Sequence, residues 1–267
     1  MMKAFWSGNA ESSRMEERNW GDIITPYIIK ALSGQDATNR RKKTGGRMVC
    51  VGSLMHRIRP GDHVWGTGML APDKVVTPLP PGVRFHAVRG PLTREVLLGL
   101  GAEVPEVYGD PALLIPHILK VPEQKVTHRL GIIPHYYDME AVRHLASPDV
   151  KVIDICAGVH EVIQEVLSCE SILSSSLHGV VLGDAYKRKT GWLVVSDAAR
   201  LLGGTWKFKD YCASTNREAV PNALSDAGSL PEITWLDSPR IDLGPLLAAC
   251  PFNKIRALTV EALSGTP

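Results

Sequence analysis

Nowhere do 18 apolar residues run together in this sequence, which leaves no segment that reads as a membrane-spanning helix. The start, from Met1 to Asn9, turns polar before a signal-peptide apolar region develops, so the expectation is a protein of the cytoplasm. Charge of one sign is scarce. Thirty Lys and Arg stand against 28 Asp and Glu, a net +2, and no aromatic-interleaved basic patch occurs, which excludes a dedicated nucleic-acid binder. The five cysteines, Cys50, Cys156, Cys169, Cys212 and Cys250, are odd in number and widely spaced, so neither a disulfide framework nor a CxxC metal site follows. They read as small apolar residues in a reducing compartment. His56, His63 and His86 lie at scattered spacings and suggest no metal. No GxSxG elbow, HExxH pair or EF-hand loop is present, so serine hydrolase, zincin and calcium readings have no support.

What is there is an ordinary globular composition, 44% apolar and 22% charged. Short β-rich runs alternate with helix-patterned stretches, which predicts an α/β protein with mostly parallel sheets and its function at strand C-terminal ends. In the first half the expected strands are 47–52, 63–66, 84–89 and 106–110. A helix follows the third of these: Pro91 suits its first turn, Leu92, Val96 and Leu100 form a stripe, and Gly101 can end it. The pattern loosens between Pro111 and Val126, where Pro116 and Pro122 bracket a short amphipathic piece, and an inter-domain linker is expected there. A chain of 267 residues is then divided into 1–118 and 119–267. Strands are expected at 130–135, 150–154, 171–174 and 192–196, with a helix over 161–167 and a helical tail over 246–263 able to pack on either half.

Two familiar signatures fail on inspection. Gly66-Thr67-Gly68-Met69-Leu70-Ala71 satisfies GxGxxA, but Pro72 and Asp73 follow where a helix should open. From Gly183 to Thr190, Arg188 occupies the second glycine that a P-loop requires. The segment Ser174-Ser175-Ser176-Leu177-His178-Gly179 is different. A β-rich run ends in three serines just before a helical pattern, so backbone N–H groups at the helix start and serine hydroxyls could face an anion. His178 could supply a proton or positive charge there. The alternative is that the serines cap the helix and His178 bonds a neighbouring loop.

Arg89 ends a strand and Arg94 lies about a turn into the next helix; an arginine fork matches carboxylate or phosphate oxygens two at a time. Asn19-Trp20-Gly21-Asp22 precedes a helix-like run, where Asn or Asp can cap and Gly permits close approach. Arg40-Arg41-Lys42-Lys43 reads as a solvated basic loop, or as a contact for anionic lipid headgroups or a lipid-diphosphate acceptor.

Taken in order, Asn19–Asp22, Val64–Gly68, Val88–Thr93, Tyr108–Ala112, Ile133–Tyr136, Ser174–Gly179 and Lys207–Tyr211 resemble the polysaccharide pyruvyl transferase family, with bacterial members that decorate succinoglycan-type exopolysaccharides as the nearest likeness. The resemblance implies two Rossmann-like halves in a GT-B-like arrangement, with phosphoenolpyruvate in the cleft between them. It implies a pyruvate ketal formed on a sugar of a lipid-linked oligosaccharide, no separate cofactor, and possible peripheral contact with an anionic membrane. His178 becomes the leading acid/base candidate, His135 a second, and Arg89, Arg94, Ser174, Ser175, Ser176 and Lys207 donor-binding candidates. Asn19, Gly21, Asp22 and Asp110 are acceptor-orienting or structural. Many family members carry Arg two residues before the histidine, where this chain has Ser176. The competing expectations are a glycosyltransferase of similar shape using a nucleotide sugar, and an inactive scaffold of glycan assembly.

Overall fold

The computed structural model describes residues 1–14, 18–41, 45–195, 204–225, 228–230 and 232–252. Two five-stranded parallel sheets organise them. The first contains β1 (Met2–Phe5), β2 (Ala37–Asn39), β3 (Met48–Val49), β4 (His63–Trp65) and β5 (Arg84–Ala87). The second contains β6 (His128–Ile133), β7 (Val150–Val152), β8 (Cys169–Ser174), β9 (Lys189–Val194) and β10 (Pro221–Ala223). The helices are α1 (Trp20–Ile23), α2 (Thr25–Ser33), α3 (Pro91–Gly99), α4 (Ile115–Ile118), α5 (Met139–Val142), α6 (Val159–Leu167), α7 (Leu177–Ala185), α8 (Trp206–Ser214) and α9 (Gly244–Ala248). None among the described residues is long and apolar enough to cross a membrane.

The sheet orders are β2-β1-β3-β4-β5 and β10-β9-β8-β6-β7. Numbered within its own half, each sheet is therefore a doubly wound 2-1-3-4-5 sheet, one read in reverse. In such sheets the direction of winding switches between the first and third strands, and a crevice opens beyond their carboxyl ends. Those pairs are β1/β3 and β6/β8, and the α/β two-half architecture expected from the pattern is observed.

Local chemistry explains the central elements. On α6, Val159, Val162, Ile163 and Val166 are buried at helical spacing while Glu161 and Glu165 keep contact with solvent. Helix α7 has no such polarity, because Leu177, Gly179, Val180, Val181, Leu182 and Gly183 are all buried. It lies between the second sheet and the buried 3-10 turn Pro111–Leu114, so it needs apolar residues all round. Gly183 lets it approach β8: a Cβ there would sit 3.2 Å from that of Ile172.

The structure departs from expectation in three places. Residues 106–110 make only one parallel bridge, Val88 to Tyr108, before Gly109 turns away at φ 132°. The stretch read as a linker is in part core: Ala112, Leu113, Leu114 and Ile115 are buried. Strands β1, β2 and β10 stand where no strand was expected. The tail is helical over Gly244–Ala248, where Leu246 O accepts from Trp65 Nε1 at 2.8 Å in the first half. Residues 253–263 of the expected tail, Lys42 and Lys43 of the basic loop, and Ser196 of the last expected strand lie outside the described residues.

Two helices fasten the halves together. On α1, Trp20 N–H donates to Ile155 O at 2.9 Å and Trp20 Nε1 to Val159 O at 3.2 Å. On α8, Asp210 reaches across to Arg89 and Thr93 of the first half. Gly90 makes this docking possible, since a Cβ there would overlap Asp210 O.

Candidate active site

A cavity of about 200 Å³ opens between the carboxyl ends of the two sheets. Ser7 follows β1, Ser53 and Leu54 follow β3, His135 and Tyr136 follow β6, and Ser176, Leu177 and His178 follow β8. The cavity thus joins both switch points, and Asn19 and Asp22 on the α1 segment and Lys207 on α8 complete its polar wall.

The serine loop divides by role. Ser174 Oγ donates to Ile133 O at 2.6 Å and accepts from Ser176 N–H at 3.0 Å. Ser175 Oγ donates to Asp138 Oδ2 at 2.7 Å and accepts from His135 N–H at 2.8 Å. These two fully buried hydroxyls are committed to holding the loops after β6 and β8 together, rather than facing a ligand. Only Ser176 lines the cavity; it occupies the N-cap position of α7 but makes no side-chain cap bond. The amino end of α7, with Ser176, Leu177 and His178 all on the cavity wall, therefore brings the positive end of the helix dipole to it without a side-chain cap.

Arg89 does not line the cavity. Its guanidinium is wholly buried, with Nε 3.1 Å and Nη2 3.0 Å from Asp210 Oδ2, Nη2 also on Met69 O and Nη1 donating to Ser53 Oγ at 2.7 Å. Its fork is engaged by the protein, and it acts on the site through Ser53, which does line the cavity, and through its charge. Arg94 is turned elsewhere, with Nε donating to Val104 O at 3.0 Å. Asp110 is buried away from the cavity, where Oδ1 accepts from Ala112 N–H at 3.0 Å; burial pushes its pKa to about 6. Asn19 caps α1, its Oδ1 accepting from Gly21 N–H at 3.2 Å. Gly21 itself is packed against the His178 ring so closely that any Cβ would overlap the imidazole. Gly21→Ala is therefore expected to cost about 1–3 kcal/mol by overpacking and to displace His178. Chemical denaturation checks it, and unchanged stability would refute the close approach.

Four titratable groups converge. Burial raises the Asp22 carboxyl to about 6, with Lys207 drawing it down. Burial and then the Arg89 charge lower Lys207 to about 8, while Asp22 and Asp138 oppose the fall. Burial and Lys207 bring His135 to about 4, and burial, Lys207 and Arg89 bring His178 to about 3. At neutral pH the free site thus holds a cationic Lys207, a largely ionised Asp22 and two neutral imidazoles. A resting imidazolium at His178, one of the sequence expectations, is disfavoured by desolvation and two nearby cations. His178 Nε2 is shut off from water and has no hydrogen-bond partner among the described residues. Sequence reasoning gave no site role to Ser53, His56 or Tyr136: Ser53 and His56 carry no motif of their own, and Tyr136 ends the Ile133–Tyr136 motif in which only His135 was singled out.

A larger cleft of about 770 Å³ lies at the far end of α7, beside the 236–243 segment. It opens at the amino end of β9, the wrong side for a parallel-sheet site, and its Asp184 is bonded to Thr190, Tyr211 and Arg217.

Residues 76–197 match the polysaccharide pyruvyl transferase family. The family resemblance read from the motifs is borne out over that span, which runs from before β5 through β9 and includes Arg89, His135 and the Ser174–His178 loop. An uncharacterized protein of Acanthamoeba polyphaga mimivirus is 26% identical over 214 residues, 71% of this chain and 73% of that protein. The succinoglycan biosynthesis protein ExoV of Rhizobium meliloti is 27% identical over 150 residues, 51% of this chain and 46% of that protein. The match to the succinoglycan protein thus takes in under half of that protein's length. No solved structure matches the chain.

Proposed function

We propose that the chain transfers the pyruvyl group of phosphoenolpyruvate to two hydroxyls of a sugar in a polysaccharide precursor, forming a ketal and releasing phosphate. The observation that carries this reading is the small cavity at both switch points, with Lys207, Asp22, His135 and His178 on its wall. Its volume of about 200 Å³ is below the ~300–1,000 Å³ usual for drug-sized ligands, which suits a three-carbon donor better than a nucleotide sugar. The two doubly wound halves would face each other in the GT-B manner, divided near residue 118, and the reaction belongs in the cytoplasm before the glycan is exported.

The chemistry needs a proton on the methylene carbon, attack by one sugar hydroxyl on the adjacent carbon, and displacement of phosphate by the second hydroxyl. One hydroxyl proton is balanced by the new methyl group and the other leaves with phosphate. Lys207 and the α7 amino end hold the donor's anionic groups and stabilise the departing phosphate. Asp22, ionised above about pH 6, accepts a sugar hydroxyl proton. His178 is neutral in the free protein, and the negative donor placed beside it raises its pKa so that it can carry the proton for the methylene carbon. His135, pinned through Ser175, orients the donor from the other side of the loop. Arg89 sets the cationic field behind Ser53.

The value of kcat/KM reports the free enzyme. It is expected to rise with pH through about 6 as Asp22 ionises and to fall above about 8 as Lys207 loses its proton. Asp22→Asn should remove the rising limb. Phosphate release assays across pH check this, and a wild-type profile without that limb would sink the role given to Asp22. Thermal-shift titration tests the donor: phosphoenolpyruvate should stabilise the protein, and stabilisation by a nucleotide sugar alone would favour glycosyl transfer.

A further inference from the structure

A second cleft, of about 210 Å³, adjoins the reaction cavity at Ser7, which lines both. Its walls are Phe5, Ser7 and four arginines, Arg41, Arg47, Arg57 and Arg59. Two of the arginines build the frame. Arg47 is buried and paired with Asp62 at 2.7 Å, its other N–H groups donate to Arg40 O and Arg57 O, and its guanidinium lies 4.7 Å over the Phe5 ring. Arg41 donates through Nη2 to Ser7 O at 2.7 Å and Gly8 O at 2.6 Å, fixing the segment that follows β1. Arg57 and Arg59 are exposed, and among the described residues no carboxylate lines the cleft. The Asp62 carboxylate is taken up by Arg47 and by the Arg59 N–H at 2.8 Å. The cleft therefore carries positive charge that no carboxylate among its described lining residues offsets, on a frame held by the Arg41 and Arg47 bonds. The 3-10 turn Met55–Arg57 links the two spaces, since His56 lines the reaction cavity and Arg57 lines the cleft.

We propose that this cleft is an anion subsite that seats the phosphate or diphosphate on which the acceptor sugar is carried, so that the sugar reaches past Ser7 into the reaction cavity. Guanidinium forks match phosphate oxygens two at a time, and a diphosphate offers neighbouring sets to Arg57 and Arg59. Lys207 lines the reaction cavity and not this cleft. The assignment of the anion to the acceptor rests on the pyruvyl-transfer reading; the subsite as an anion site does not.

Inorganic pyrophosphate and phosphoenolpyruvate are each titrated into the full chain and into an Arg57→Gln, Arg59→Gln double variant. Pyrophosphate binding should weaken about tenfold or more in the variant, while stabilisation by phosphoenolpyruvate stays unchanged. Pyrophosphate that binds both proteins alike, or neither, overturns the subsite. Arginine-dependent pyrophosphate binding with no effect of phosphoenolpyruvate overturns the pyruvyl-transfer reading and leaves the subsite standing. The source of the anion is separated by two further arms. Competition of a soluble sugar diphosphate with pyrophosphate supports the acceptor assignment. Arginine-dependent sedimentation with phosphatidylglycerol vesicles that pyrophosphate does not compete away assigns the cleft to lipid headgroups and overturns it.

Discussion

Asp210→Ala is expected to lower the unfolding free energy by about 3–5 kcal/mol, the largest stability loss foreseen for a single substitution here. The Arg89 guanidinium and the Asp210 carboxylate are both fully buried and lie 3.0 Å apart, on opposite halves of the molecule. Removing the carboxylate strands a buried cation and unpairs Thr93, whose N–H and hydroxyl donate to Asp210 at 2.8 and 2.7 Å. Removing both charges is a different matter, because desolvating an ion pair offsets most of its attraction. A double variant, Arg89→Met with Asp210→Leu, should therefore be more stable than Asp210→Ala alone. Urea denaturation decides it. A loss under about 1 kcal/mol for Asp210→Ala would show that the pair does not fasten the halves.

Lys207→Met is expected to cut phosphate release from phosphoenolpyruvate by about 10²–10³-fold in kcat, the magnitude that follows loss of one preorganised group facing developing negative charge. The same substitution should stabilise the fold. Lys207 is only 7% exposed, and its pKa is lowered from 10.5 to about 8, so burial, with the Arg89 charge, disfavours its charged form by roughly 3 kcal/mol. The unfolded chain binds this proton more tightly, so the penalty is fully present below about pH 8 and fades as pH rises toward 10.5. Activity falling while stability rises is a signature that a structural lysine would not give. Retained turnover within about threefold would remove Lys207 from the chemistry.

Much of the fold could be read from sequence because its long strands are buried on both faces. β6 ends in Leu130-Gly131-Ile132-Ile133, β8 carries Ile172-Leu173 between buried serines, and α3 begins at Pro91 where expected. The misses have physical causes. β1 is four residues long and contains Lys3, and β2 has three residues, so neither offers a period long enough to recognise. Residues 106–110 look like a strand by composition, but the turn at Gly109 stops pairing after one bridge. The Pro-bracketed stretch after residue 110 suggested an exposed connection, yet Ala112 to Ile115 are buried under α7.

The site was legible in outline and not in detail for a similar reason. Motifs placed His135, His178, Lys207 and Asp22 in one neighbourhood because each follows a strand or opens a helix. Sequence order cannot show whose charge is already met. Arg89 was the natural donor ligand until Asp210, 121 residues away, occupied its fork, and Ser174 and Ser175 were natural anion donors until their hydroxyls closed on Ile133 O and Asp138.

Helix α8 joins two duties on one short lever. Lys207 and Asp210 are three residues apart and so project from neighbouring positions of the same helix face. The anchor that sets the angle of the lever is thus one turn from the cation at its tip. Any sequence drift that re-aims the anchor also re-aims the cation, so in this chain the fit between the halves and the direction of the charge entering the cavity are inherited together.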